Sequence, residues 1–260
     1  MILFERGSLD LDDPVSEFLP GFDAPQVISS FDPVSGAVAT VPATTVMTVR
    51  HLLSHTSGIG YAFANSTVAR LQQLTPGPEW ALPLLNEPGA KWNYSASTRV
   101  LGRIVEELSG ESLADFLEAE IFEPLGMLDT SYAVPADQQT RLPTLHVRAG
   151  ANLQEAPQTA PAVPAPPFNG DGGLYSTARD YGQFMRLFLN GGALGDVRIL
   201  SESSVQLMGE NQIGRHLRRA ASGSESSADA AVPARCRGGQ IRARLPDHGY
   251  RSRRRGSQPG

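Results

Sequence analysis

The chain has 260 residues, 40% hydrophobic and 19% charged, which is enough apolar matter for one large core or two small ones and too much for wholesale disorder. Its formal net charge of -5 divides unevenly: residues 1–214 hold 11 Lys+Arg against 24 Asp+Glu, a net of -13, whereas residues 215–260 hold 11 arginines against 3 acids, a net of +8. No run approaches the roughly 20 apolar residues of a membrane span; Ile2–Phe4 is too short for a signal h-region, which makes a cytoplasmic place the default; and the single cysteine, Cys236, excludes an internal disulfide and a cysteine-based zinc site.

In chain order, a valine- and threonine-rich run from Val38 to Val46 has the composition of a strand. Thr48 then caps a short helix over Val49 to Ser54. Pro76-Gly77-Pro78 and Glu87-Pro88-Gly89 read as turns. Ser97 opens a helix to Ser109 whose Val100, Leu101, Ile104, Val105 and Leu108 share one face, with Arg99, Arg103, Glu106 and Glu107 away from it and Gly110 beyond its end. Ser112 and Asp115 form a capping-box pattern for a second helix, Leu113 to Phe122, that Pro124 stops. Five prolines between Ala156 and Pro167 make a long loop, and Gly170-Asp171-Gly172-Gly173 turns the chain into a third helix, Ala178 to Leu189, capped by Thr177 and Asp180.

The last 46 residues, Arg215 to Gly260, differ in kind. Arg, Ala, Gly, Ser and Pro supply 33 of them, and Leu217, Val232, Ile241 and Leu245 are too scattered for a buried face. The sequence therefore divides at Gly214, with a folding unit over 1–214 and an arginine-rich tail over 215–260 that carries no packing pattern. These five residue types are also what GC-rich codons give when read out of frame. The acidic body argues against nucleic acid as a partner, so the tail's charge reads as foreign to the fold rather than as a binding arm.

Five segments together resemble one family. Leu52-Leu53-Ser54-His55-Thr56-Ser57-Gly58, and Tyr94-Ser95-Ala96-Ser97 leading into Val100-Leu101-Gly102-Arg103-Ile104-Val105-Glu106, resemble the serine β-lactamase and penicillin-binding superfamily, in the class C-like branch that includes esterases and D-aminopeptidases. Leu9-Asp10-Leu11-Asp12-Asp13-Pro14-Val15, Ile121-Phe122-Glu123-Pro124-Leu125-Gly126-Met127 and Gly172-Gly173-Leu174-Tyr175-Ser176-Thr177-Ala178 agree with it in order. The resemblance implies an α/β domain packed on an all-α domain, and acyl transfer through a serine ester on a small ester, amide or lactam, without a metal or cofactor. It also implies three catalytic motifs: Ser-x-x-Lys, a tyrosine motif, and a Lys/His-Thr-Gly-like strand. Tyr94 matches the catalytic tyrosine, which shares the acid–base work. Ala96 stands where Tyr-x-Asn members carry the amide, so Ser97 is the weaker candidate for substrate binding, at a position that also suits an N-cap.

The other two motifs are absent from these 260 residues. The only lysine is Lys91, with Pro88 three places before it and Trp92 after it. The family places Ser-x-x-Lys just upstream of the Leu-Asp-Asp-Pro-Val stretch and the third motif beyond Gly214. On this reading both ends of a working enzyme are missing, and whether the chain is an enzyme stays open. The expected fold class is accordingly α+β, mostly helical, an incomplete β-lactamase/transpeptidase-like fold. Its three longer helices should pack together and its apolar surface should be partly exposed. Two readings stand: a serine hydrolase of the β-lactamase type that is inactive as given, or a non-catalytic binding protein that keeps the helical domain. His55 beside Ser54 and Ser57 has the residue types of a Ser-His pair, but no supporting acid is identifiable and the family uses this motif structurally. His51 and His55 have the i, i+4 spacing of zinc ligands without a third ligand, and the glycines at 170–173 lack the Gly-Lys-Ser/Thr of a phosphate loop.

Overall fold

The computed structural model describes residues 1–156 and 159–214. The expectation for the arginine-rich tail lies outside the described residues. The architecture is α+β and mostly helical: helices α1 (Ile2–Glu5), α2 (Val15–Phe18), α3 (Val49–Leu53), α4 (Ser66–Leu74), α5 (Ser97–Ser109), α6 (Leu113–Leu117), α7 (Ala178–Leu189) and α8 (Glu202–Gly209) carry most of the regular secondary structure. The strands form three separate antiparallel pairs: β1 (Gln26–Phe31) with β2 (Val38–Pro42), β3 (Leu145–Ala149) with β4 (Asn152–Ala156), and β5 (Ala193–Leu194) with β6 (Val197–Arg198).

The first hairpin closes because Asp32 accepts from the Val34 N–H at 2.9 Å and the Ser35 hydroxyl at 2.5 Å, while Gly36 takes φ 77°, a conformation that costs glycine little. The strand read over Val38 to Val46 stops at Pro42. Leu84 docks parallel on the far edge of β1, donating to the Gln26 carbonyl at 2.7 Å and accepting from Ile28 at 2.9 Å.

α5 and α7 have the bounds that periodicity and capping indicate. The second helix is regular only over Leu113–Leu117 and widens into one π turn, Glu118–Phe122, before Pro124, which has no N–H to continue a helical ladder. Ser112 caps it by accepting from the Asp115 N–H at 3.1 Å, and its hydroxyl donates to the Asp115 carboxylate at 2.7 Å. Thr177 accepts from the Asp180 N–H at 3.2 Å. The buried Asp180 carboxylate in turn accepts from the Asp129 N–H at 2.8 Å and the Thr130 hydroxyl at 3.0 Å, tying the start of α7 to the chain beyond α6.

The three longer helices pack in series rather than around one shared core. Val100 and Ile104 of α5 join Val15, Val27, Met47, Val49, Leu52, Ile59 and Leu84 in the main core, so on this side α5 packs chiefly on α3, with α2 a lesser neighbour. α6 packs on α5 through Leu113, Tyr132, Phe168 and Val105. α7 joins at the other end of α6, where Phe122, Leu125, Met127 and Leu187 form a third cluster with Ile121, Phe184 and Phe188. Leu117 touches both of the smaller clusters. Along α7, Tyr181, Met185 and Leu189 face solvent at four-residue spacing.

Leu117 is thus the joint between two cores. Leu117→Ala should cost about 2 kcal/mol in urea unfolding, the low end for Leu→Ala because the side chain is half-buried. Leu128→Ala, at a residue 85% exposed, should stay within about 0.5 kcal/mol. Equal effects at the two positions would contradict this packing.

Candidate functional site

The site forms where α3 ends and α5 begins. α3 starts with a capping box: Thr48 Oγ1 accepts from the His51 N–H at 3.4 Å and His51 Nδ1 accepts from the Thr48 N–H at 3.2 Å. The helix ends in a Schellman motif, with Thr56 N–H on the His51 carbonyl at 2.9 Å and His55 N–H on the Leu52 carbonyl at 3.3 Å. That motif needs a left-handed residue just past the cap, usually glycine. Here it is His55, at φ 55°, the one non-glycine residue with positive φ among the described residues.

From His55 a ladder of side-chain hydrogen bonds runs inward. His55 Nδ1 and Ser95 Oγ are 3.0 Å apart, Ser95 and Ser97 Oγ 2.7 Å, and Ser97 and Ser57 Oγ 2.8 Å. All three serines are fully buried. Ser57 also accepts from the Ile59 N–H at 3.2 Å, and Ser95 accepts from the Ser97 N–H at 3.4 Å. The ladder joins the end of α3 to the start of α5.

Tyr94 immediately precedes the buried Ser95 of this ladder but faces outward. It is 50% exposed, and its hydroxyl has no hydrogen-bond partner among the described residues. Its ring lies 5.4 Å from His55 and 5.2 Å from Tyr61, with Phe63 at 6.0 Å and Trp92 at 6.5 Å. Tyr61 stacks on Phe63 at 4.7 Å, and Phe63 is 74% exposed. An outward phenol is therefore set in an aromatic wall.

A buried ion pair fixes one side of that wall. Asp171 accepts from the Tyr61 hydroxyl at 2.7 Å and from Arg99 Nε at 2.8 Å, with only 4% of its side chain exposed. Burial opposes its charge, but the hydrogen bonds from Arg99 and Tyr61 outweigh burial and hold the carboxyl below the usual range. Burial, and then the Asp171 bond, push the Tyr61 phenol well above the ordinary tyrosine range. Arg99 also reaches Glu79 at 3.6 Å and lies 5.4 Å over the Trp80 ring. The loop carrying Asp171 crosses α5 at contact distance, because a Cβ on Gly170 would stand 2.2 Å from the Thr98 carbonyl oxygen.

The structure places the two sequence candidates differently. Tyr94 is on the surface of the site. Ser97 is fully buried and engaged with Ser95 and Ser57, and helix α5 takes Ala96 rather than Ser97 as its N-cap. His55 pairs with Ser95 instead of Ser54 or Ser57; Ser54 donates to the Arg50 carbonyl at 2.8 Å and is 2.9 Å from Thr56 Oγ1. Tyr61, Arg99 and Asp171 escaped the sequence reading. The one available signal was an acid among glycines at 170–173, and Arg99 had been set apart from the packed face of α5.

The geometry describes an exposed aromatic wall with one free phenol, and the comparisons identify the class of the chain. The chain belongs to the Beta-lactamase family, whose model matches residues 1–231. An uncharacterized protein of Mycobacterium tuberculosis is 36% identical over 221 residues, covering 80% of this chain and 54% of its own length. ML-236A carboxylate methylbutanoyltransferase of Penicillium citrinum is 32% identical over 137 residues, 49% of this chain and 32% of the relative. Lovastatin esterase of Penicillium rubens is 30% identical over 138 residues, 49% and 34% of the two chains. Among solved structures, the LovD6 mutant of simvastatin synthase from Aspergillus terreus is similar with a TM-score of 0.69 and 28% identity, over 80% of this chain and 52% of that one. The chain spans about half the length of the Mycobacterium relative and about a third of the two fungal ones.

Burial pushes the pKa of His55 below the ordinary value. It does the same at His51, where Asp12 opposes and Arg50 reinforces the shift. An unfolded histidine titrates at about 6.5, so below that pH the unfolded chain binds protons that the native one refuses. Stability should therefore fall as pH drops from 7.5 towards 5. Urea unfolding across that range checks this, and replacing both histidines should flatten the slope.

Proposed function

We propose that residues 1–214 carry the tyrosine-bearing part of a serine acyl-transfer site, belonging to a β-lactamase-related hydrolase or acyltransferase that works on a small ester, amide or lactam. The observation that carries this reading is the Tyr94 hydroxyl. It is exposed and free of intramolecular bonds among the described residues, while the residues on either side of it are held in place. A buried phenol with a partner would be structural; a held phenol aimed at solvent is available to a substrate. The named relatives favour esters within this class, since one is an acyltransferase and another an esterase. The aromatic wall suits an apolar acyl group, because its exposed surface is built from the rings of Tyr94 and Phe63.

In the reaction the family resemblance implies, a serine oxygen attacks the acyl carbonyl and its proton passes to a base. The bond from the acyl carbon to the leaving oxygen or nitrogen then breaks, and that atom takes up a proton. The role proposed for Tyr94 is in the proton steps only. The attacking serine and its lysine are not among these 260 residues, because Lys91 has Pro88 three positions before it. An unassisted serine hydroxyl is a weak nucleophile.

The 260-residue chain should therefore form no covalent adduct with a fluorophosphonate or a labelled penicillin, and should cleave p-nitrophenyl esters at background rate. Joined to a Ser-x-x-Lys segment and a family C-terminus, it should label, and Tyr94→Phe should then slow turnover by about two to four orders of magnitude. Stoichiometric labelling of the chain alone, or an unchanged rate in Tyr94→Phe, would overturn the proposal.

A further inference from the structure

We infer that His55 is a positioning residue for Tyr94, clamping the chain on both sides of the phenol; this rests on the reading of Tyr94 as the acid–base group. The His55 carbonyl accepts from the Asn93 N–H at 2.9 Å, and its Nδ1 shares a 3.0 Å hydrogen bond with Ser95 Oγ. Asn93 and Ser95 are the immediate neighbours of Tyr94. The imidazole also packs against the Tyr94 ring at 5.4 Å and the Trp92 ring at 6.2 Å. One residue thus fixes the backbone before Tyr94, the side chain after it, and one face of its ring.

The backbone of His55 points to a side-chain role. It fills the left-handed position of the Schellman motif that ends α3, where glycine is the least strained residue. A histidine there carries a conformational cost that glycine avoids, so helix termination alone does not account for it. The ring contributes what glycine lacks, the bond to Ser95 and the contact with Tyr94. Since Ser95 continues to Ser97 and Ser57, the clamp is anchored in the fully buried ladder rather than in a mobile surface group.

The two roles predict opposite outcomes for His55→Gly. If His55 only ends a helix, the variant is as stable as the parent or more so, and Tyr94 is unaffected. A positioning role keeps the melting temperature from falling much but releases the phenol. The test is the χ1 three-bond couplings of Tyr94 in the full chain, using labelled tyrosine and assigning the resonance with Tyr94→Phe. We expect one dominant rotamer in the parent, rotamer averaging in His55→Gly, and partial recovery in His55→Asn, which tolerates the left-handed backbone and keeps a polar side chain. If His55→Gly loses its cooperative transition, Ser95→Ala decides, since it leaves the backbone of residue 55 intact and should still loosen Tyr94. A single parent-like rotamer in His55→Gly, or in Ser95→Ala if that variant is used, would overturn the inference. No step depends on chemistry, so an unchanged rate of Tyr94→Phe in the assembled enzyme bears on the acid–base reading alone.

Discussion

Three hydroxyls with almost no access to water have to satisfy one another, and the arrangement around Tyr94 follows from that. A buried hydroxyl without a partner costs on the order of 1–3 kcal/mol. Ser57 and Ser97 bond each other at 2.8 Å only when the end of α3 and the start of α5 stand in one register, and Ser95, 2.7 Å from Ser97, carries the ladder on to His55. Apolar contact between Leu52, Val100 and Ile104 brings the two segments together but tolerates sliding. The hydroxyl ladder selects a single alignment. His55 extends it to the surface, so the geometry of a phenol that meets solvent is set by groups that do not.

A second constraint comes from the loop at 169–173. Asp171 is the buried acid in this region, and it has both a charged and a neutral donor, so its charge is matched where water cannot reach it. Removing Arg99 would leave that charge with only the neutral Tyr61 hydroxyl as a donor, beside the ring against which Tyr94 packs. The close approach of Gly170 to Thr98 lets Asp171 lie deep enough to reach both partners. Ladder and ion pair hold opposite sides of one aromatic wall: His55 and Trp92 on the first, Tyr61 and Phe63 on the second.

The parts of this fold that were legible in the sequence are those fixed by local chemistry. α5 and α7 end where their caps and glycines dictate, and Tyr94 was identifiable from its motif and does reach the surface. What escaped depends on contacts between distant segments. Strand β1 alternates too weakly to be recognised without β2 beside it, and the exposed hairpin β3–β4 has no buried face to mark it. Ser97 looked available because a serine at a helix entrance often is, and only the position of Ser57, 40 residues earlier, shows that it is buried and occupied. The three longer helices do pack together, but that they do so in series through α6 was not legible for the same reason, since α3 and α6 take up the apolar side of α5.

The account rests on the hydroxyl ladder, and a double-mutant cycle across its innermost bond tests it most directly. Ser57→Ala and Ser97→Ala, measured by urea unfolding, should each destabilise the chain by about 1–2 kcal/mol, because each takes one hydrogen bond from a buried hydroxyl. The double variant should cost clearly less than the two together, with a coupling of about 1 kcal/mol. Strict additivity would mean that the two hydroxyls do not depend on each other, and that the alignment of α3 with α5, and with it the placing of Tyr94, has another origin.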